Sequence, residues 1–503
     1  MTDLRPYQID AIAAIDAVVA AGKRRPLLVA PTGAGKTVIF ATIIKRAAAN
    51  GQRVIVLAHR REIIAQTSLK LSANDVEHGI IRAGLVMDLE QHVQVCSIQT
   101  LWARAMRTNK IPLPPADLLI IDEAHHVPAR TYRKIIEAYP NAILLGTTAT
   151  PCRGDGRGLG NFFDCIVETP QVAELIAQKY LVETRVYAPR DIDLKGVRVQ
   201  AGDYVENQLA QRMDRDDLVG DIVSHWHKYS ERRKTVVFAI NVAHSAHIRD
   251  EFIKSGVKAE HIDGTTPKDE RDAALTRLAS GETELITNCM VLTEGWDLPE
   301  VSCCILARPT KKIGLYRQMV GRVLRPAPGK IDAIVLDHSG AVFQHGLVED
   351  RIEWTLETDK RAESPTHTAR LKSGHSSRLL ECSQCGAIRT AGEPCGHCGF
   401  FPKARPEAVI FRDGDLGLVD RKSRTVHALS DPNERMRWHA MLTYIQQQRG
   451  HRPGWIAHKY REKFGTWPAV RTVTPVAPTP EVLSWVRSRN IAYAKARGKG
   501  AVA

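Results

Sequence analysis

Eight residues, Ala30-Pro31-Thr32-Gly33-Ala34-Gly35-Lys36-Thr37, have the types needed to cradle a row of phosphates. Gly33 and Gly35 let backbone N–H groups close on an anion, while Pro31, Thr32 and Ala34 complete the turn. Lys36 brings positive charge to β- and γ-phosphate oxygens, and the Thr37 hydroxyl can ligate Mg²⁺. The strict glycine-rich pattern has Gly where this chain has Ala30. Further on, Asp122-Glu123-Ala124-His125 offers two adjacent carboxylates. Asp122 suits the Mg²⁺ side and Glu123 suits a base that orients water, with His125 beside them. A third stretch, Gln318-Met319-Val320-Gly321-Arg322-Val323-Leu324-Arg325, places Arg322 and Arg325 three apart, on one helix face with Gln318. An arginine on a transferring phosphoryl group is worth about 10³–10⁵ in rate. Taken singly, these are a glycine-rich turn, a pair of solvated acids and a solvated basic face. Taken together, they read as one site for nucleoside triphosphate hydrolysis.

A second chemistry lies near the far end. Cys382-x₂-Cys385 and Cys395-x₂-Cys398 are nine residues apart, with Gly386, Gly396 and Gly399 to turn the knuckles. Four thiolates at this spacing close a tetrahedral Zn²⁺ site with no open position, which makes it structural. His397 is a spare nitrogen that points to solvent. Such a module either grips nucleic acid or serves only to fold its own segment.

These residues need elements to hold them. Short continuous apolar runs at Leu27–Ala30, Val54–Leu57, Val93–Ile98, Leu118–Ile121 and Ile143–Gly146 have the character of strands buried on both faces. The phosphate loop follows the first run and opens a helix from Lys36 to Asn50 that stops at Gly51. Asp122-Glu123 end the fourth run, at the sheet edge where ligands bind in open α/β folds. A second block repeats the pattern with strands at Val236–Ile240, Leu285–Asn288, Cys304–Ala307 and Ile334–Leu336. Helices Val242–Ser255 and Asp269–Ser280 fall between them. Two α/β domains with central parallel sheets follow, over 1–168 and 218–360, with a linker or insert at 169–217. Beyond lie a polar linker at 361–377, the four-Cys module at 378–403 and a basic, helix-compatible region at 404–503. Thr474–Pro480, with three prolines, is an extended link.

The 503 residues exceed one core and carry a net charge of +14. Residues 361–503 hold 24 Lys and Arg against 11 Asp and Glu, whereas residues 1–360 hold 46 against 45. The excess therefore sits in the last third, as a polyanion-attracting surface or a solvated basic tail. Trp438, Trp455, Tyr460, Phe464 and Trp467 interleave there with Lys459, Arg461 and Lys463, as core or as stacking platforms. The six scattered cysteines suit buried positions in a reduced protein. No signal-peptide pattern or membrane-length apolar run occurs, so a cytoplasmic protein is expected.

The motif set resembles the superfamily 2 helicases and translocases of the DEAH-box type over most of residues 1–345. Ala30–Thr37 fits their Ala-x-x-Gly-x-Gly-Lys-Thr form. Arg5-Pro6-Tyr7-Gln8 resembles their adenine-recognition segment, so Arg5 and Gln8 are expected on ATP. Leu57-Ala58-His59-Arg60 and Ser97-Ile98-Gln99-Thr100 resemble strand-contacting motifs, which implies Arg60, Gln99 and Thr100 on nucleic acid. Thr147–Pro151 resembles the motif coupling hydrolysis to grip, with Thr148 on the strand side. Thr293-Glu294-Gly295-Trp296-Asp297 matches a cleft motif, with Thr293 toward nucleic acid and Gly295 and Asp297 toward ATP. The resemblance implies two RecA-like lobes that close on ATP and open after hydrolysis. Thr148-Ala149-Thr150 and Val323-Leu324-Arg325 look like DNA-directed members rather than RNA-directed ones. Arg153–Leu159, Val335–Gly340 and the cysteines resemble the bacterial RadD-like DNA-repair helicases and their prophage relatives. Single-stranded or forked DNA and single-strand-binding or repair proteins are the implied partners. A nucleic-acid-dependent clamp, an RNA helicase and a restriction motor stay open as alternatives, although no nuclease motif is evident.

Overall fold

The computed structural model describes residues 4–189, 194–359, 379–401, 432–452, 454–464, 466–468 and 473–498, with a few isolated positions between them. Most of the linker expected at 361–377 and most of 402–431 lie outside the described residues. Residues 1–402 form one compact unit and 403–503 another.

Within the first unit, seven parallel strands build one sheet: β1 (Pro26–Val29), β2 (Val54–Ala58), β3 (Gly79–Ile81), β4 (Val93–Ser97), β5 (Leu118–Asp122), β6 (Ile143–Thr148) and β7 (Cys165–Glu168). Their order is β3-β4-β2-β5-β6-β1-β7. The apolar runs are strands because the sheet has a core on each face. Leu28, Val54, Val56 and Ile120 enter one core with Ile39, Phe40 and Ile44 of α1 (Lys36–Ala49). The alternate residues Leu27, Val29, Ile55, Leu57 and Ile121 enter the other. Period-two alternation inside an all-apolar run thus feeds two cores at once. Helix α1 ends as expected, with Gly51 at φ +74 and the Gln52 N–H donating to Ala47 O at 3.0 Å.

The second sheet is also parallel: β8 (Glu183–Tyr187), β11 (Thr235–Phe238), β12 (Ala259–Ile262), β13 (Leu285–Asn288), β14 (Cys303–Leu306) and β15 (Asp332–Asp337), in the order β12-β13-β11-β14-β15-β8. A hairpin of two-residue strands, β9 (Val199–Gln200) with β10 (Asp203–Tyr204), falls between β8 and β11 in the chain. Two segments differ from the expected boundaries. Strand β8 lies inside the stretch read as linker or insert, yet pairs with β15 as the sheet's edge. Its alternating Glu-Thr-Arg-Val-Tyr sequence lacks the apolar run of a central strand. Residues 352–357, expected in the second domain, cross back to the first. Ile352 N–H donates to Gln171 Oε1 at 2.9 Å, and Gly158 and Gly160 N–H groups donate to Glu357 O (3.1 Å) and Leu356 O (2.7 Å). Trp354 and Leu356 pack on the first lobe's core.

The cysteine module is an antiparallel hairpin, β16 (Leu379–Glu381) with β17 (Ile388–Thr390), followed by a second knuckle. It rests on the second lobe: Leu379 belongs to that lobe's core, and a Cβ at Gly386 would lie 3.3 Å from the Tyr229 hydroxyl. In the second unit, helices Pro432–Arg449, Gly454–Phe464 and Pro480–Gly498 surround Trp438, Leu442, Ile445, Tyr460, Phe464, Val482 and Val486. Most of its aromatics are therefore core. Trp467 is half exposed, with the Arg461 guanidinium 4.7 Å above its ring.

Candidate functional site

Strand β1 delivers the phosphate loop and β5 delivers the acids, with β6 between them. Register places Asp122 opposite Thr147, whose hydroxyl donates to Asp122 Oδ1 at 2.8 Å. Gly33 (φ +88) and Gly35 (φ +81) take left-handed angles that favour glycine. A Cβ on Gly35 would lie 2.5 Å from Gln8 Nε2. The loop is braced from behind, since Tyr7 OH and Gln8 Nε2 both donate to Ala34 O, at 2.7 and 3.1 Å. Gln8 Oε1 in turn accepts from Arg5 N–H at 3.0 Å. Lys36 Nζ reaches Ala30 O at 3.4 Å, and the Pro31 carbonyl accepts from Ala34 N–H.

A cleft of about 630 Å³ opens in front of this loop and is lined from both lobes. The first lobe contributes Arg5, Thr32, Gly33, Gly35, Lys36, Thr37, Asp122 and Glu123; the second contributes Gly295, Asp297, Arg322 and Arg325. The two arginines are not on one helix, as the spacing suggests. The helix Ile313–Gly321 stops one residue before Arg322. Gly321 there abuts the phosphate loop so closely that a Cβ would lie 2.6 Å from Thr32 Cβ. A turn beyond it carries both guanidiniums to the cleft. Arg322 Nε donates to Thr293 O (2.9 Å), and Arg325 Nη1 pairs with Asp297 Oδ1 (2.6 Å). Burial, then Arg325, pulls the Arg322 guanidinium down to about 10, where it still carries its charge at neutral pH.

Burial and neighbouring Glu123 raise the Asp122 carboxyl. Burial also acts on Glu123, but Lys36 and His125 outweigh it and hold that group low and ionised. Glu123 sits at φ +55, an unusual angle for a residue with a Cβ, and turns its carboxylate toward His125, with Nδ1 at 3.3 Å. Deprotonated Glu123 can orient water; Thr37 and Asp122 provide the hard oxygen donors that Mg²⁺ takes, and the glycine cradle with Lys36 suits a triphosphate. The residues present fit MgATP.

A second, larger groove of about 900 Å³ lies on the other side of the acidic turn, lined by Arg60, His125, Thr150, Arg153, Thr293, Arg308, Lys311, Lys312 and Gln318, among others. Gln318, expected beside the arginines, lines this groove rather than the cleft. Of the residues expected on nucleic acid, Arg60 and Thr293 line it. Gln99 is exposed and donates to His59 O at 3.3 Å. Thr100 and Thr148 are buried: Thr100 Oγ1 accepts from Ala83 N–H, and Thr148 Oγ1 lies 3.2 Å from His125 Nδ1. Both hydroxyls are thus turned into the protein rather than into the groove.

The sequence reading does not single out Glu294, which lines the groove beside Thr293. Its buried carboxylate lies 3.1 Å from Arg60 Nε, 3.3 Å from His59 Nε2 and 3.5 Å from His125 Nε2. Burial opposes its charge, but the three neighbouring imidazoles and Arg60 hold it far below the usual carboxylate range. The available signal is that His59, Arg60, His125 and His126 all follow strand ends of one sheet.

The four cysteines come together. Cys382 Sγ lies 3.7 Å from Cys398 Sγ, and Cys385 Sγ lies 3.7 Å from Cys395 Sγ. The knuckles repeat each other: Gly386 N–H donates to Cys382 O and Gly399 N–H to Cys395 O, both at 2.8 Å, with φ of +78 and +71. Sulfurs on a Zn²⁺ tetrahedron with bonds of about 2.3 Å sit about 3.8 Å apart, so the donor set fits zinc.

Comparison with known proteins agrees with this geometry. Residues 1–153 match the family model "Type III restriction enzyme, res subunit", and residues 214–327 match "Helicase conserved C-terminal domain". Together these place the chain among the superfamily 2 helicases. The chain is 32% identical over 358 residues to the IRC3 protein of Saccharomyces cerevisiae, provisionally described as an ATP-dependent helicase; the match covers 67% of this chain and 52% of that protein. The chain thus spans about half the length of that relative. It is 26% identical over 365 residues to "DNA 3'-5' translocase XPB2" of Sulfurisphaera tokodaii, covering 64% and 79% of the two chains. A solved fragment from Vibrio vulnificus YJ016, provisionally described as the HsdR subunit of a type I restriction enzyme, shares the fold. Its TM-score is 0.54 at 24% identity, over 68% of this chain and 65% of that one.

Proposed function

We propose that this protein is an ATP- and Mg²⁺-dependent DNA helicase or translocase of the DEAH-box type, most similar to RadD-like repair helicases. The observation that carries the proposal is the shared cleft, in which Lys36, Asp122 and Glu123 of one lobe face Arg322 and Arg325 of the other. In this reading Gly33–Thr37 cradle the phosphates, and Thr37 with Asp122 hold Mg²⁺. Glu123 orients water, and the arginines meet the charge that develops on the γ-phosphoryl group. An Mg²⁺ ion held by Thr37 and Asp122 would supply charge neutralisation at the phosphates. In this reading Arg5 and Gln8 recognise the adenine.

Glu123 of the cleft contacts His125, and His125 contacts Thr148 and the groove residue Glu294, so in this reading a change at the γ-phosphate reaches the groove along that chain of contacts. Arg60, Arg153, Arg308, Lys311 and Lys312 give that groove the charge to track a single strand. DNA is favoured over RNA by the Thr148-Ala149-Thr150 and Val323-Leu324-Arg325 forms and by the DNA translocase among the relatives. The four-Cys module holds structural Zn²⁺, and the basic second unit adds polyanion affinity. A role in DNA repair or recombination, with single-strand-binding or repair proteins as partners in the cytoplasm, suits a motor of this kind.

The test is steady-state ATP hydrolysis with single-stranded DNA, with single-stranded RNA and with neither, beside strand displacement on forked DNA. Stimulation by DNA with displacement is the expected result. Stimulation by RNA alone would replace the substrate, and DNA-stimulated hydrolysis without displacement or movement would make the protein a clamp or remodeller.

A further inference from the structure

Outside the MgATP cleft and the four cysteines, one cluster of metal-ligating side chains remains among the described residues: His59, His126 and Glu294. His59 follows β2 and His126 follows β5, both on the first lobe; Glu294 lies between β13 and β14 on the second. One ligand atom from each falls within 4.8 Å of the other two. His59 Nε2 is 3.3 Å from Glu294 Oε2, and His126 Nε2 is 3.7 Å from Glu294 Oε1. Nitrogen and oxygen donors about 2.0–2.2 Å from Zn²⁺ stand about 3.3–3.6 Å apart around a tetrahedron; the two measured contacts, one to each oxygen of the same carboxylate, are of that order. The two imidazole rings are 4.1 Å apart, centroid to centroid. Glu294 is 6% exposed, its Oε2 is held by ion pairs with Arg60 and His59, and the buried His126 Nε2 facing it makes no hydrogen bond.

We propose that His59, His126 and Glu294 form an interlobe site for a Zn²⁺-class transition metal, separate from the Mg²⁺ and four-cysteine sites. Two imidazoles and one carboxylate are the donor set of three-ligand zinc centres that keep a fourth position open. Imidazole selects borderline metals such as Zn²⁺, Co²⁺ and Ni²⁺ over Mg²⁺, so the MgATP requirement leaves this site untouched. Two cations compete for the carboxylate: Arg60, with Nε 3.1 Å from Oε2, and His125, with Nε2 3.5 Å from Oε1. Metal binding displaces Arg60 from Glu294 and leaves its guanidinium free in the groove. Because the ligands come from both lobes, an ion here ties the lobes in this arrangement, and a cycle that requires them to part slows.

Metal counting by equilibrium dialysis of the full chain tests the site independently of any activity. The wild type is expected to hold one Zn²⁺ more than His126→Ala. The Cys382→Ala/Cys385→Ala chain, loaded with Co²⁺, is expected to show ligand-field bands without thiolate charge-transfer absorption. Added Zn²⁺ should inhibit hydrolysis in the wild type, and His126→Ala should need at least about tenfold more for the same inhibition, as loss of a ligand implies. Unchanged hydrolysis by His126→Ala without added Zn²⁺ shows that it is folded. Equal metal content in wild type and His126→Ala, or bands that His126→Ala leaves in place in the cysteine variant, would overturn the assignment.

Discussion

His125 shows how a single side chain can join two functions. Burial lowers its pKa, but Glu123 and Glu294 outweigh burial and raise it to about 9. The folded-state value therefore lies above the unfolded one of about 6.5. The stability it contributes is present in full below pH about 6.5 and is lost as pH rises through about 9. The imidazolium links an acid of the first lobe to one of the second, so its loss weakens the contact between lobes. Thermal melts from pH 6 to 10 should show a decline worth on the order of 1–3 kcal/mol, flatter in Glu294→Gln. Equal slopes in both proteins would separate His125 from the interlobe contact. Most cleft residues were legible in the sequence because loop chemistry demands fixed types at fixed spacing. Glu294 was not, because its partners at 59, 60, 125 and 126 are brought to it only by the fold.

The elements show what apolar pattern can and cannot reveal. Central strands such as β2 and β5 announced themselves, since burial on both faces requires a continuous apolar run. Edge strands did not: β8 and β12 carry Glu, Thr, Arg and His because one edge or face meets water. The helix Ile313–Gly321 ends before Arg322, and its last residue packs on Thr32; close approach of this kind leaves no mark beyond a glycine. Gly158 has the same role toward residues 355–357: a Cβ there would lie 2.4 Å from Leu356 C, 2.5 Å from Thr355 O and 2.6 Å from Glu357 O. All three are backbone atoms that cannot rotate away. Gly158→Ala should therefore cost about 1–3 kcal/mol or loosen residues 352–357 from the first lobe, read as a lower denaturation midpoint or faster proteolysis there. A midpoint and cleavage pattern like the wild type's would contradict this packing. In the knuckles, Cys382→Ala/Cys385→Ala should remove the zinc held there and destabilise the hairpin, while the sheets of both lobes stay folded. Undiminished metal content after saturation would refute the cysteine site.

At the scale of the whole molecule, the first unit is two parallel sheets whose carboxyl edges share a cleft. The segment 352–357 ties the second lobe back to the first, and the cysteine hairpin rests on the second lobe near its edge strand. No described helix is long and apolar enough to cross a membrane. The basic excess falls where the sequence places it, in the last third, much of it on a three-helix unit with its own aromatic core. Two lobes with one cleft make a specific demand: the second lobe must contribute to chemistry begun by the first. Single-turnover hydrolysis of ATP by Arg322→Ala, with Lys36→Ala as the inactive reference, tests this most directly. ATP should bind Arg322→Ala with near wild-type affinity, and its hydrolysis should fall by about 10³-fold or more. Hydrolysis at the wild-type rate would mean that the second lobe takes no part in the reaction.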